Sequence, residues 1–123
     1  MLYLIVFLGA GIGGALRHGV NVTAAWLLSP AFPFGTLFVN IAGSFLMGLC
    51  AGYFAFKPGL SQQLRLFLTT GILGGFTTFS SYGLQTFTLL RDGEIGWAAV
   101  NIAASNVFGL LMVWMGYVVF KLI

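Results

Sequence analysis

The side chains able to do chemistry in this sequence are almost all neutral. Asn40 sits in GTLFVNIAGSF, and Thr77, Thr78, Ser80 and Ser81 sit in GILGGFTTFSSYG. Asn101, Ser105 and Asn106 follow in one apolar run. Amide N–H and hydroxyl groups donate hydrogen bonds and carry no charge. Such a set suits an anion, or else it ties helices together. Phe79 and Tyr82 are three apart and share one helical face, and aromatic edges carry partial positive charge. The reactions that need ionised groups lack them. Asp92 and Glu94 are the two acidic residues, and both fall beside Arg91 and outside the apolar runs. Proton-coupled cation export relies on an intramembrane carboxylate. No acid lies near His18 in sequence to orient it as a base. Cys50 has no Cys or His partner at ligand spacing, and no phosphate loop or metal motif occurs. These residues do not describe an enzyme.

The segment Gly71 to Gly83 holds four glycines and four serine or threonine residues at the centre of Leu66 to Leu90, which carries no charge. Glycine costs about 1 kcal/mol in a helix interior relative to alanine. Irregular backbone at membrane depth survives only when buried in protein or lining a watery cavity. A break at Gly74-Gly75-Phe76-Thr77 is therefore expected, with bared carbonyls able to ligate Na⁺. Arg17 is the one full charge well inside an apolar run. It either snorkels to the interface or attracts an anion.

The elements that carry these residues follow from composition. Of the 123 residues, 59% are hydrophobic and 6% are charged, where a soluble domain carries about 25% charged residues. Lipid must be the main solvent. The five basic residues are scattered, which leaves no nucleic-acid footprint. A bilayer core takes about 20 apolar residues as helix, and the charges and turns divide the chain into four spans. These are about residues 2–28, 36–56, 62–90 and 94–121, in a single transmembrane domain. SPAFPFG makes the first turn, Lys57-Pro58-Gly59 the second and Arg91-Asp92-Gly93 the third. Lys57, Arg65 and Lys121 share one side, against Arg91 and Arg17 on the other. That bias is too small to fix orientation, so insertion both ways and antiparallel pairing are expected. Small residues recur four apart at Gly9 and Gly13, at Ser44, Gly48 and Gly52, at Gly71 and Gly75, and at Ser105 and Gly109. Such spacing lets helices approach closely in lipid.

GALR at Gly14 to Arg17, GTLFVNIAGSFLMG at Gly35 to Gly48 and GILGGFTTFSSY at Gly71 to Tyr82 resemble the Fluc (CrcB) fluoride channels. The resemblance covers the whole chain and is strongest in the third span. It implies an all-α membrane protein with the third of four spans broken near its centre. It implies an antiparallel, dual-topology homodimer in the cytoplasmic (inner) membrane, with two pores and a central structural Na⁺ held by the carbonyls of Gly74 and Thr77. Fluoride would pass Asn40, Phe79 and Tyr82, with Ser80, Ser81 and Asn106 as further polar positions. Tyr82, Gln85 and Leu110 depart from the family pattern, which usually has phenylalanine at the first, often glutamate at the second, and in some members serine at the third. Two other functions fit four short spans: a small multidrug-type proton-coupled antiporter, and a non-transporting membrane scaffold. The antiporter lacks its carboxylate in the first span.

Overall fold

A computed structural model of the chain describes residues 1–57 and 59–122. Pro58, expected in the second turn, lies outside the described residues. Every regular element is helical: α1 (Leu2–Leu27), α2 (Phe34–Phe56), α3 (Gln62–Leu66), a π-helical stretch (Phe67–Leu73), α4 (Gly74–Phe76), α5 (Phe79–Arg91) and α6 (Ile95–Leu122). Three of them, α1, α2 and α6, are long and apolar enough to cross a membrane. The elements from α3 to α5 form one interrupted helix over residues 62–91.

Local chemistry sets these boundaries. Ser61 opens α3, its Oγ accepting from the Leu64 N–H at 3.2 Å. Asp92 and Gly93 close α5. Gly93 adopts φ +80°, which a side chain would strain, and the Glu94 N–H then reaches the Leu89 carbonyl at 2.8 Å. Phe32 is buried in the first turn, its ring centroid 5.2 Å from that of Trp97.

The break lies at Thr77 and Thr78, a little beyond the double glycine where it was expected. Gly74 has φ −63° and ψ −37°, so the helix runs on through it. Thr77 and Thr78 are extended, with ψ of 155° and 121°. Thr77 ends the first half by donating both its N–H and its hydroxyl to the Leu73 carbonyl, each at 3.0 Å.

The glycines serve packing instead. A Cβ on Gly75 would meet the Ala10 carbonyl, one on Gly13 the Ile72 carbonyl, and one on Gly9 the Gly71 Cα at 2.9 Å. The first half of the interrupted helix therefore lies flush on α1. A second tight pair joins α2 to α6, with Gly48 against Val113, Gly52 against Tyr117 and Gly116 against Phe45. Among the described residues α5 touches α6 and α2 and no other element.

Gly75→Ala should force α1 away from the interrupted helix. Overpacking of this kind costs about 1–3 kcal/mol. Gly96 sits on α6 with open space around it, so Gly96→Ala should be neutral or stabilising by up to about 1 kcal/mol. Unfolding midpoints of the two purified variants in detergent check the contrast.

Candidate functional site: a polar cavity at the helix break

Breaking a helix frees backbone groups that lipid cannot satisfy. Asn40, on the face of α2 turned toward the break, resolves this at Thr78. Its Nδ2 donates to the Thr78 carbonyl at 2.9 Å, and its Oδ1 accepts from the Thr78 N–H at 2.8 Å. Thr78 in turn caps α5, its Oγ1 accepting from the Ser81 N–H at 3.2 Å. Both pairings draw N–H groups away from their regular places. The Thr78 N–H would otherwise serve the Gly74 carbonyl, and the Ser81 N–H the Thr77 carbonyl. Gly74 is also exposed on the surface of the single chain.

Beside this clamp lies a cavity of about 320 Å³. Its walls bring together Asn40, Thr77, Thr78, Phe79, Tyr82 and Asn106 from the sequence-derived set. Phe79 is 82% exposed. Its ring centroid lies 5.6 Å from that of Tyr82, with the planes inclined by 49°. Asn106 donates to the Ile102 carbonyl at 2.8 Å and reaches the Tyr82 hydroxyl at 3.5 Å. No carboxylate lines the cavity.

Ser80 and Ser81 do not line it. The Ser80 Oγ lies 3.4 Å from the Thr78 Oγ1, and Ser81 takes part through its backbone. Arg17 is not a lining residue either, and its Nε is buried without a hydrogen-bond partner among the described residues. The remaining lining includes Ser105, already among the polar residues of the last span, and Gly43, Ser44 and Met47, which were not singled out as polar positions. Counting along α2 from Asn40 by three, four and seven residues would have found the latter three, because those positions share its face.

The cavity is held by a second polar set. Asn101, only 1% exposed, donates to the Thr86 Oγ1 at 2.9 Å, and Thr86 donates to the Tyr82 carbonyl at 2.7 Å. The Ser105 hydroxyl reaches Asn101 Oδ1 at 3.5 Å. These bonds fix α5, and with it Phe79 and Tyr82, against α6. Thr36 is 2% exposed and Gln85 is half-buried, and neither the Thr36 hydroxyl nor the Gln85 Oε1 has a partner among the described residues.

The chain matches the family described as CrcB-like protein, Camphor Resistance (CrcB), over residues 4–117. It is 59% identical over 106 residues to a protein of Granulibacter bethesdensis, covering 85% of this chain and 83% of the relative. It is 55% identical over 107 residues to one of Methylobacterium nodulans, covering 87% and 86%. It is 46% identical over 123 residues to one of Rhodopseudomonas palustris, covering 100% and 99%. Each of the three bears the name fluoride-specific ion channel FluC.

Asn40→Ala removes both partners of Thr78 at once. Leaving buried groups unpaired costs about 1–3 kcal/mol each, so the unfolding midpoint should fall well below that of the parent chain. Asn40→Asp keeps the acceptor and loses the donor, and its midpoint should lie between the two.

Proposed function

The chain belongs to the CrcB family, and from that membership we propose that it is a passive, fluoride-selective channel built from two antiparallel copies. It is a multi-pass protein of the cell membrane, and it conducts without catalysing a reaction. The observation that carries the reading is the cavity at the break, where neutral donors and two aromatic rings converge without a carboxylate.

Fluoride is small and strongly hydrated, so a path for it must replace its water with close donors. An amide nitrogen has two N–H groups, and one of Asn40's is committed to Thr78. The other donates to the ion. Phe79 and Tyr82 present ring edges, whose partial positive charge guides an anion without binding it tightly. Conduction needs sites strong enough to enter and weak enough to leave. Neutral donors and ring edges meet that condition better than a buried cation, which would trap the ion. The membrane potential, worth about 2.3 kcal/mol per charge per 100 mV, drives an anion out of a cell that is negative inside. No coupling ion or nucleotide is required.

The paired assembly follows from what a single chain leaves open. Gly74 is exposed at the depth of the break, and the carbonyls of Gly74 and Thr77 have both lost their regular helical donors. Bare carbonyls facing lipid are costly. An inverted second copy meeting the first at this point would cover them. The paired carbonyls would also form a neutral oxygen set of the kind that holds Na⁺ in broken membrane helices. Gly74 and Thr77 thus fit a structural Na⁺, which would brace the break without touching the conducted ion. Two copies give two cavities and hence two pores.

Liposomes containing the purified protein should release fluoride, measured with a fluoride electrode, and should retain chloride. Phe79→Ile should abolish the efflux while the dimer persists on size exclusion. Tyr82→Phe removes one hydroxyl worth about 1 kcal/mol, so its efflux should stay within about tenfold of the parent rate. Equal chloride and fluoride release would overturn the reading. Replacing Na⁺ by N-methylglucamine should lower the unfolding midpoint of the dimer.

A further inference from the structure

Apart from Arg17, which lies within α1, the charges of this chain are sorted between the two ends of the bundle. Lys57, Arg65 and Lys121 lie where α2 ends, α3 begins and α6 ends. Asp92 and Glu94, the two acidic side chains, lie in or beside the α5–α6 connection at the opposite end. Arg91 pairs there with Asp92 at 3.3 Å, the one ion pair among the described residues. The three cations of the first end are exposed and face no acidic side chain among the described residues.

At the same end of the bundle runs a groove of about 330 Å³. Its walls include Leu49 and Cys50 of α2, Leu64 of α3, Leu68, and Phe120 of α6. Phe54 also lines it, and the Arg65 guanidinium sits 4.8 Å from the centre of that ring. This cation–π contact holds Arg65 at the mouth of the groove. Lys57 follows the last residue of α2, and Lys121 follows Phe120.

We propose that this groove and its three cations form a site for an anionic phospholipid, one acyl chain in the groove and the phosphate at Arg65, Lys57 and Lys121. An apolar groove takes any lipid tail, so its shape selects nothing. The charge selects. Basic pockets between membrane helices at the headgroup level recognise anionic headgroups, and each Lys or Arg near the surface adds about fivefold in affinity. The groove is separate from the polar cavity and shares no lining residue with it.

Cys50, the chain's one cysteine, lines the groove and reports its occupancy. The test uses the purified protein in decyl maltoside, titrated with dioleoylphosphatidylglycerol or dioleoylphosphatidylcholine. The readouts are the rate of Cys50 alkylation by N-ethylmaleimide and lipid retention in native mass spectrometry. Phosphatidylglycerol should slow alkylation severalfold and stay bound, while phosphatidylcholine at the same mole fraction and soluble glycerol phosphate should do neither. Arg65→Gln with Lys57→Gln should weaken the phosphatidylglycerol effect by roughly 25-fold. Both residues are exposed, and such surface changes spare the fold. Equal protection by the two lipids, protection that survives the double substitution, or a Cys50 already unreactive without lipid because the second chain covers it would each overturn the proposal.

Discussion

The structure depends on one rule of its solvent: in hydrocarbon, every backbone N–H and C=O must find a partner within the protein. Three long helices satisfy the rule internally. The interrupted one cannot, and the two bonds between Asn40 and Thr78, at 2.9 and 2.8 Å, are what make its break possible. Remove Asn40 and an extended, buried residue is left with both backbone groups unpaired. The clamp also sets direction. Thr78 is at once the residue Asn40 holds and the cap of α5, so the start of the second half is fixed relative to α2. Phe79, the next residue, inherits its position from that pairing.

Helices in lipid do not gain by hiding apolar surface, because the lipid is as apolar as they are. Close approach does the work here, and glycine allows it. Gly9, Gly13, Gly71 and Gly75 seat α1 on the first half of the interrupted helix, and Gly48, Gly52 and Gly116 seat α2 on α6. The second half, α5, has no such seam. Gly83 on α5 has open space around it. What holds α5 is polar: Thr86 with Asn101, and Thr78 with Asn40. Interhelical hydrogen bonds in membranes average only about 0.6 kcal/mol, so α5 is positioned more than it is clamped. The element that carries both aromatic rings is thus the least crowded one in the chain. The proposed second copy would add the missing walls on that side.

Much of this was legible in the sequence because lipid imposes coarse rules. Charge-free runs between Arg17, Lys57, Arg65, Arg91 and Lys121 fixed the helices, and their ends fall close to the turns that proline and glycine mark. The polar glycine-rich segment announced an interruption. Its place within that segment was misjudged, because composition cannot separate two uses of glycine. Gly74 and Gly75 looked like breakers, yet the helix runs on through both, Gly75 serves the approach to α1, and the break falls on two β-branched threonines that extended backbone suits. Whether a threonine extends depends on who accepts its freed N–H, and that partner, Asn40, is 38 residues away. Ser80 and Ser81 shared the motif but not the cavity, since hydroxyl content says nothing about facing. Ser44 and Met47 were hidden for the opposite reason: only after Asn40 has a direction does its helix face acquire meaning.

The polar contacts around the cavity divide by length, and the division follows their tasks. Short bonds make the framework: Asn40 to Thr78 and Asn101 to Thr86 at 2.9 Å join elements, and Asn106 to the Ile102 carbonyl at 2.8 Å stays within α6. Long ones face one another across side chains with slack: Thr78 to Ser80 at 3.4 Å, and Asn106 to Tyr82 and Ser105 to Asn101 at 3.5 Å. A hydrogen bond weakens steeply as its geometry departs from the ideal, so the long contacts cost little to give up. A passing anion that replaced the Asn106–Tyr82 contact would take the Asn106 N–H that now points at the Tyr82 hydroxyl, and that hydroxyl could turn its own O–H to the ion, without disturbing the Asn101–Thr86 and Asn40–Thr78 bonds. Fast conduction requires such an exchange, because a donor locked into the framework would have to break the framework to serve the ion. Tyr82, like Thr78, Asn101 and Asn106, makes both kinds of contact. Its carbonyl accepts the short bond from Thr86 at 2.7 Å, and its hydroxyl makes the long one to Asn106. The backbone is thereby held still while the ring's outer end stays free to trade partners.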